Sequence, residues 1–509
     1  MSASCPKAAL GSDTTSHRRM TMTNIGISGL AAYVPPYRVK LDEWCEWTDQ
    51  QWSKISAVVG HSFRMRGHEH SVYTMAATAV LRLIDQYDID PDSVRFLGLG
   101  TESSLDNSAG AVIVKGMVDA ALEKRGKPAL SRACEVPEFK HACLGGVYAM
   151  KSAIRALAFD GRGSKAIVVC ADIAEYQRGS SGEPTQGAGA IAMLLEEDPK
   201  LATVDLINSG SASDYRIMDF RKPMLRFCGQ DRSESHQVQD FPVFNGKYST
   251  TCYIDETLHA LADMYRRRGI DPAAHLQSVK HLFMHRPYRR MPENGFSVAW
   301  FWALANSDSD GEARLREYAA LAEMDGDALV AELRADHTIA SLASAEHLND
   351  DAMPLTMALV RLFRRMPDFA DTVESKLALG SEGMSDLGNL YTAALPAWMA
   401  SGFEEALRDD IDLTGQEILT LGYGSGDAAE VIPMYVAPGW REATRKMRFT
   451  EALEQPIDIT RDQYEALHDG RRALGLPASN GGEFFIADVG RKTDHKFQDI
   501  GIEYYKYRA

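Results

Sequence analysis

Cys143 stands in surroundings that suit a nucleophile. It precedes two glycines in "HACLGGVYAMKSAIRAL", and apolar residues then recur with helical spacing from Val147 to Leu157. This pattern predicts a helix that begins just after Gly145 and Gly146, with Cys143 at its N-terminus. There, unpaired N–H groups and the helix dipole favour a thiolate and should lower the pKa of the thiol. A thiolate at this place could attack a thioester; the alternative is a small apolar residue that fills a tight turn.

Two further side chains with useful chemistry follow apolar runs. Glu102 ends "LGLGTE", and desolvation at the end of a buried strand would raise its pKa toward that of a useful base. His285 ends "HLFMH" and precedes Arg286, Arg289 and Arg290, a basic cluster suited to phosphates. The alternatives are a solvated loop residue for Glu102 and a hydrogen-bonded strand-end histidine for His285.

Strand-like apolar runs alternate with helical patterns from Ile25 onward, which predicts an α/β fold that would position these side chains. Two strand–glycine–strand units, near residues 166–195 and 418–436, indicate an internal duplication. The second unit contains "GYGSG", Gly422 to Gly426, a turn whose N–H groups could bind an oxyanion. Residues 302–352 are acidic and rich in alanine, which predicts a peripheral helical excursion.

The composition excludes several classes of protein. The chain has 509 residues with 45% hydrophobic and 25% charged, typical of a globular protein, and no apolar run reaches the roughly 18 to 20 residues of a membrane span. A net charge of −16 argues against nucleic acid as a partner. Seven scattered cysteines without a C-x-x-C pair favour neither disulfides nor zinc, which predicts a cytoplasmic protein with reduced thiols.

Nine short motifs occur along the chain in a fixed order. They are "GTE" (Gly100 to Glu102), "ACLGG", "ADIAEY", "PTQGAGA", "DFRKP", "NGKYSTTCY", "HRPY", "NLYT" and "YGSG". In this order they resemble the 3-hydroxy-3-methylglutaryl-CoA synthases of the thiolase superfamily. The resemblance runs from about residue 24 to the C-terminus and is weakest between residues 290 and 375.

The resemblance implies a five-layered αβαβα fold, made of two related halves and assembled as a homodimer. The expected divisions are a disordered leader at residues 1–22, a first half at 23–200, a second half at 201–445 and a C-terminal appendage at 446–509. The first half would carry the nucleophilic cysteine, and the second the histidine and the helical excursion. The appendage is expected to pack on the second half.

The resemblance also implies a reaction. Cys143 would accept an acetyl group from acetyl-CoA as a thioester, and Glu102 would remove a proton from the acetyl methyl group. The carbanion would add to the C3 ketone of acetoacetyl-CoA, which His285 would hold while it assists protonation of the new alkoxide. Hydrolysis would free 3-hydroxy-3-methylglutaryl-CoA, an isoprenoid precursor of the mevalonate pathway.

Other positions match motif residues around these three. Backbone N–H groups of Cys143 and Ser425 would form the oxyanion hole. Arg290 replaces a lysine that meets the CoA phosphates in the family. The resemblance implies no metal and no cofactor beyond the CoA thioesters. The remaining residues expected in the acyl pocket or the CoA site are Gly424, Asp172, Tyr176, Asp219, Asn389, Tyr391 and Arg289.

Two alternatives remain open at this point. The "EFKHAC" and "HRPYRR" stretches are also similar to family members that take their substrates from an acyl carrier protein and install β-branches on polyketides. Those members tend to be shorter, so the long C-terminal tail favours the CoA-dependent enzyme. A non-catalytic acyl-CoA sensor or scaffold is the second alternative, but it would have no physical need for Glu102, Cys143 and His285 together.

Overall fold

The computed structural model describes residues 24–104, 109–222, 241–477 and 481–509. The predicted leader, residues 1–22, lies outside these ranges. The strands are β1 Ile25–Tyr33, β2 Tyr37–Lys40, β3 Ser62–Met65, β4 Val94–Gly100, β5 Glu138–Phe139, β6 Lys165–Ala174, β7 Gly187–Glu197, β8 Ala202–Val204, β9 Gly210–Ser213, β10 His281–Met284, β11 Glu417–Gly424, β12 Ala428–Val436, β13 Ile457–Asp458, β14 Glu483–Val489, β15 Thr493–Asp494, β16 Phe497–Gln498 and β17 Glu503–Arg508. The α-helices are α1 Leu41–Thr48, α2 Trp52–Val58, α3 Val72–Gln86, α4 Gly110–Lys124, α5 Gly145–Ala158, α6 Gly246–Arg268, α7 Pro272–Ser278, α8 Arg290–Ala305, α9 Ser309–Leu321, α10 Gly326–Arg334, α11 Pro354–Phe363, α12 Ser375–Leu377, α13 Ala394–Arg408, α14 Trp440–Arg445, α15 Phe449–Leu453 and α16 Arg461–His468.

The two halves of the chain repeat one strand arrangement. In the first half β4 runs parallel to β6, β6 pairs antiparallel with β7, and β7 pairs antiparallel with β1. In the second half β10 runs parallel to β11, β11 pairs antiparallel with β12, and β12 pairs antiparallel with β8. Strand β8 also pairs with β1 and so joins the two sets. The strand–glycine–strand units of the sequence are the β6–β7 and β11–β12 hairpins.

Helix α5 lies between the two sets of strands. Alternate residues of β6 face opposite ways: Val168 and Cys170 share a cluster with α5, whereas Ile167 and Val169 share one with α3 and α4. On its far side α5 approaches β11 so closely that a Cβ on Gly422 would lie 2.7 Å from Leu144 Cδ1, just before the helix. With α6 against β9 and β12, the order is helix, sheet, helix, sheet, helix. The predicted αβαβα layering is confirmed.

The predicted appendage packs mostly on the first half. The prediction that it packs on the second half holds for α15, which lies against α13, and is wrong for the residues from β13 onward. Strand β13 pairs with β2, and β14 lies against α3. Phe484 of β14 is buried in the cluster of α3 and α4, and its N–H donates to Thr78 Oγ1 at 3.0 Å. Tyr464 and Leu467 of α16 are buried against Val39 and Phe63 of the β2–β3 hairpin. From β13 onward, the apolar faces of the tail therefore pack on the first half.

The segment at residues 302–352 is helical where the structure gives it regular form. After the end of α8 it contains α9, α10 and a short 3₁₀ turn at Ile339–Leu342. Asp308 and Asp325 cap α9 and α10 by accepting N–H hydrogen bonds in the first turn of each helix. Within the described residues, no helix has the length and apolar character needed to cross a membrane.

Candidate active site

A cavity of about 400 Å³ contains Cys143 in its wall and draws its lining from both halves of the chain. The first half contributes Cys143 and Tyr176, and the second contributes His285, Tyr423 and Ser425. Apolar and aromatic side chains form most of the wall, which keeps water away from the few polar groups. The cavity is therefore a place where a thioester could react with a sulfur nucleophile.

The nucleophile loop holds Cys143 directly before α5. The helix begins at Gly145, close to the predicted start just after Gly145 and Gly146, and no side chain caps it. Ala142, immediately before Cys143, has φ +41°, a left-handed conformation that costs a non-glycine residue about 1 kcal/mol or more. Cys143 Sγ donates to Glu102 Oε2 at 3.7 Å. The structure thus joins two of the three predicted reacting groups directly.

The expected lowering of the Cys143 pKa is wrong. Burial raises the pKa of this thiol well above its usual value, and the carboxylates of Glu102 and Asp172 raise it further. The partial charge at the N-terminus of α5 is smaller than these opposing effects because a full negative charge lies nearby in an apolar cavity. Cys143 is therefore a neutral thiol at rest, and it needs a base to become a nucleophile.

Asp172 holds the segment that carries Glu102. Its Oδ1 accepts from the Glu102 N–H at 2.8 Å, from the Thr101 hydroxyl at 2.9 Å and from the Ser103 hydroxyl at 2.8 Å. Its Oδ2 accepts from the Thr392 N–H at 2.9 Å. Burial raises the pKa of Glu102 to about 8, and the neighbouring Asp172 carboxylate adds to this effect. Asp172 therefore both fixes the position of Glu102 and strengthens it as a base.

Four aromatic side chains pack beside Cys143 in one cluster. Tyr176 is the centre, with ring centroids 5.6 Å from Phe244, 6.2 Å from Phe220 and 6.3 Å from Tyr391. Tyr391 has φ +46°. This wall leaves room for a small apolar acyl group next to the sulfur and excludes water from it.

Asn389 organises the turn that presents Tyr391. Its side-chain Oδ1 accepts from the Tyr391 N–H at 2.9 Å, while its own N–H donates to the Thr185 carbonyl at 3.0 Å. Both Asn389 and Tyr391 line the cavity.

His285 follows β10 at the opposite side of the cavity. Its N–H donates to the Leu421 carbonyl at 2.7 Å, and its carbonyl accepts from the Tyr253 hydroxyl at 3.1 Å. Its ring stacks on Tyr423, with centroids 6.5 Å apart. Burial lowers the pKa of His285 to about 3, so the imidazole is neutral at every physiological pH. It can therefore act as a hydrogen-bond donor without adding a charge.

The glycine turn and the nucleophile loop touch each other. A Cβ on Gly424 would lie 2.4 Å from the His141 carbonyl oxygen and 2.7 Å from Leu144 Cβ. Only glycine fits there, and this close approach brings Ser425 into the cavity wall beside Cys143. Leu144 itself is fully buried against Gly422 and Gly424 and does not line the cavity.

The basic cluster after His285 divides into two parts. Arg289 and Arg290 are partly exposed and fall between the cavity-lining residues Tyr288 and Met291. Arg290 also donates to the Ala57 carbonyl at 3.1 Å.

Arg286, by contrast, is a core residue, so its proposed place in a phosphate cluster is wrong. Its guanidinium lies 5.1 Å from the Trp398 ring and donates to Ser381. Only Arg289 and Arg290 of this cluster therefore remain exposed beside the cavity.

Sequence reasoning missed several residues of the site, among them Phe244, Tyr423 and Asp427. Phe244 lines the cavity, but it lies one residue before the "NGKYSTTCY" motif and carries no chemical signal of its own. Tyr423 was noticed only as part of a glycine turn, although its ring packs on His285. Asp427 belongs to the same turn, and its partner Asp219 is about two hundred residues away in the chain. An acid directly before a mostly apolar strand was the signal that could have found it.

Family comparisons agree with this geometry. A family model described as "Hydroxymethylglutaryl-coenzyme A synthase N terminal" matches residues 21–200, and one described as "Hydroxymethylglutaryl-coenzyme A synthase C terminal" matches residues 235–474. The chain belongs to the hydroxymethylglutaryl-CoA synthase family. The two matched regions correspond to the two halves that meet at the cavity.

Curated relatives that are named as hydroxymethylglutaryl-CoA synthases are similar to this chain over most of its length. A hydroxymethylglutaryl-CoA synthase of Haloferax volcanii is 26% identical over 78% of this chain and 80% of its own length. A hydroxymethylglutaryl coenzyme A synthase of a Fusarium species is 28% identical over 87% of this chain and 89% of its own.

Solved structures show the same thiolase-like fold. MvaS in complex with 3-hydroxy-3-methylglutaryl coenzyme A superposes with a TM-score of 0.70 at 24% identity, over 96% of this chain and all of that one. The HMG synthase of the curacin biosynthetic pathway, in complex with an acetyl donor carrier protein, gives 0.66 at 18% identity, over 95% of this chain and 99% of that one.

Proposed function

We propose that the protein is a hydroxymethylglutaryl-CoA synthase that condenses acetyl-CoA with acetoacetyl-CoA and water to give 3-hydroxy-3-methylglutaryl-CoA and CoA. The observation that carries the proposal is the contact between Cys143 and Glu102 in the wall of a cavity that also contains His285. Membership of the family supports the choice of reaction. The geometry supports the order of steps.

Acetyl transfer comes first. Because the Cys143 thiol is neutral, the ionised Glu102 removes its proton, and the sulfur attacks the carbonyl carbon of acetyl-CoA. Backbone N–H groups of Cys143 and Ser425 stabilise the oxyanion, a contribution of about 3 kcal/mol for each donor. The C–S bond to CoA then breaks, and the CoA sulfur takes the proton from Glu102.

Condensation follows in the same cavity. Glu102, ionised again, removes a proton from the methyl group of acetyl-Cys143, and the resulting carbanion adds to the C3 ketone of acetoacetyl-CoA. The neutral imidazole of His285 donates a hydrogen bond to the ketone oxygen, which becomes the alkoxide and takes up the proton that Glu102 removed from the methyl group. Water then hydrolyses the thioester to Cys143 and releases the product. The aromatic wall around Tyr176 keeps the thioester dry until the acceptor has bound.

Binding roles complete the proposal. Arg289 and Arg290 lie where phosphates of a CoA thioester would pass between solvent and the cavity, and their positive charges suit that ligand. Tyr176, Asn389 and Tyr391 shape the acyl pocket. Asp172 and Asp219 accept hydrogen bonds from the segments that form its wall. The reaction needs no metal or cofactor besides the thioester substrates.

The proposal also covers the oligomeric state, the cellular location and the pathway of the protein. A homodimer is proposed from the family resemblance. A cytoplasmic location is proposed because cysteines Cys45, Cys134, Cys143, Cys170 and Cys252 are free thiols. The isoprenoid precursor pathway is the proposed context.

The proposal is tested with purified protein, acetyl-CoA and acetoacetyl-CoA. Loss of the acetoacetyl-CoA enolate absorbance should accompany release of one CoA for each 3-hydroxy-3-methylglutaryl-CoA formed, and Cys143→Ala should abolish both. The same assay with acetyl and acetoacetyl groups on an acyl carrier protein separates the two donor classes. Turnover with carrier-bound substrates but not with CoA thioesters would show that the protein is a carrier-dependent synthase. Full activity of Cys143→Ala would contradict the mechanism.

A further inference from the structure

Two buried carboxyl groups converge beneath the Tyr423–Gly426 turn. The Tyr423 hydroxyl oxygen lies 2.8 Å from Asp219 Oδ2 and 2.8 Å from Asp427 Oδ1. The Gly426 N–H donates to Asp427 Oδ1 at 2.5 Å and to Asp219 Oδ2 at 3.3 Å. Each aspartate has 2% of its surface exposed. The pair therefore binds the turn at both ends, on either side of Ser425.

Among the described residues, the Arg216 guanidinium is the positive charge that lies beside Asp427. Arg216 has its Nη2 at 2.6 Å from Asp255 and 3.1 Å from Glu256, and its Nε is 3.9 Å from Asp427 Oδ2. One guanidinium thus faces several carboxyl groups. Burial and the hydrogen bond with Asp219 hold the pKa of Asp427 well above its usual range. Asp427 therefore keeps its proton and donates it in a hydrogen bond to Asp219.

A metal ion is a poorer occupant of this cluster. Asp219, Cys252 and Asp427 each offer a ligand atom, and these atoms lie within 4.8 Å of one another. However, the Arg216 guanidinium lies beside Asp427, and the Tyr423 hydroxyl already contacts an oxygen of each carboxyl group. A divalent cation would meet a positive charge there, whereas a shared proton satisfies the two acids directly.

We propose that Asp427 is a positioning residue which, with Asp219, forms a proton-sharing clamp that sets the place of the Ser425 backbone donor in the cavity. Through the Tyr423 ring the same clamp supports His285, on which that ring stacks. The inference rests on the proposed function, because the position of Ser425 matters only if an acyl oxyanion forms beside Cys143.

The clamp makes acyl transfer sensitive to high pH. Removal of the shared proton leaves two carboxylates in contact under the turn, and their repulsion displaces the Ser425 N–H. The titratable and charged groups that face the pair come from four places among the described residues: helix α6, the 214–219 loop, strand β11 and the nucleophile loop. They are Tyr248, Cys252, Asp255, Glu256, Asp214, Arg216, Tyr423 and Cys143.

The experiment follows the rate of acetyl transfer from acetyl-CoA to Cys143 as a function of pH, by quenching and intact mass measurement. Four proteins are compared: wild type, Asp427→Asn, Asp427→Leu and Glu430→Gln. Glu430 is the matched control, since it is equally buried on β12, the strand that directly follows Asp427, but pairs with Lys151 at 2.6 Å. Thermal unfolding of each protein checks that it is folded.

Wild type and Glu430→Gln should lose rate on the alkaline side of their maximum. Asp427→Asn, which keeps the shape but cannot ionise, should lose that alkaline fall while its neutral rate drops a few-fold. Asp427→Leu should transfer acetyl on the order of 100-fold more slowly, as expected when an oxyanion donor is misplaced.

An unchanged alkaline fall in Asp427→Asn, or a wild-type rate in folded Asp427→Leu, would overturn the clamp. Absence of acetyl transfer in wild type would instead overturn the proposed function, so the two failures are distinguishable.

Discussion

Cys143 Sγ lies 3.7 Å from Glu102 Oε2 and donates a hydrogen bond to that carboxyl oxygen. Burial raises the pKa of both groups, so neither is ionised at rest in the way that an exposed residue would be. In the proposed mechanism one carboxyl group therefore serves two steps, the activation of the thiol and the removal of the methyl proton. A single carboxyl group would have to act in both steps because the wall of the cavity is mostly apolar and aromatic.

Replacement of Glu102 by glutamine should lower the condensation rate by about 10²- to 10⁴-fold, the usual contribution of a general base. The carboxamide cannot accept a proton from either the thiol or the acetyl methyl group. The measurement is the initial rate of loss of the acetoacetyl-CoA enolate absorbance. Glu102→Asp is the matched control: it keeps the carboxyl group but moves it back, so it should retain an intermediate rate. Equal rates for Glu102→Gln and wild type would rule Glu102 out as the base.

The pH dependence should report Glu102. A general base acts in its ionised form, and the pKa of this group is raised to about 8, so kcat/KM should rise as the pH increases through about 8. His285, with a pKa lowered to about 3, should add no step at neutral pH. The profile of kcat/KM for wild type and Glu102→Asp, measured from pH 6 upward in steps of about half a unit, checks this. A flat profile through pH 8 would contradict the role of Glu102.

The same shift has an opposite effect on stability. Folded Glu102 retains a proton that the unfolded chain releases near its ordinary value of 4.5, so the free energy of unfolding should fall as the pH rises from about 4.5 to about 8. Glu102→Gln should remove this part of the decline. Urea unfolding of the two proteins at several pH values measures it, and parallel curves would show that Glu102 titrates normally.

Replacement of Arg290 by glutamine should raise KM for acetyl-CoA about tenfold with little change in kcat, because a charge-assisted contact with phosphate would be lost. The matched control is Arg266→Gln, at an exposed position on α6 away from the cavity. Acetyl-pantetheine, which lacks the nucleotide phosphates, provides the second control. Equal increases of KM for both thioesters would show that Arg290 acts on the cavity and not on phosphate.

The start of α5 allows no side chain at Gly146. A Cβ there would lie 2.3 Å from Cys170 Sγ on β6, so Gly146→Ala should lower the free energy of unfolding by about 1–3 kcal/mol. Adding Cys170→Ala should restore part of the loss. Gly116→Ala in α4, where a Cβ meets open space, should be neutral or stabilising by up to about 1 kcal/mol. Urea unfolding compares the variants, and equal stabilities for Gly146→Ala and Gly116→Ala would contradict the close packing.

Local pattern predicted much of the fold. Helical spacing after Gly146 placed α5 within about two residues, and the two strand–glycine–strand units became matching hairpins. These features depend on neighbours in the chain, which a sequence displays directly.

Properties that depend on distant residues were predicted less well. The helix dipole suggested a low pKa for Cys143, but burial in the cavity raises the pKa, and the carboxyl groups of Glu102 and Asp172, which raise it further, come from other parts of the fold. The residues from β13 onward were assigned to the wrong half because nothing in their own sequence indicates that Phe484 packs on α3. Asp427 was missed for the same reason, since it meets Asp219 only after folding.

The central claim is that Cys143 carries the acetyl group. The most direct test is to mix the protein with acetyl-CoA alone, quench it in acid, and locate the added mass by peptide mass spectrometry. One acetyl group on the peptide that contains Cys143, absent in Cys143→Ala and removed when acetoacetyl-CoA is added, is the predicted result. An unmodified Cys143 peptide from protein that turns over both substrates would contradict the account.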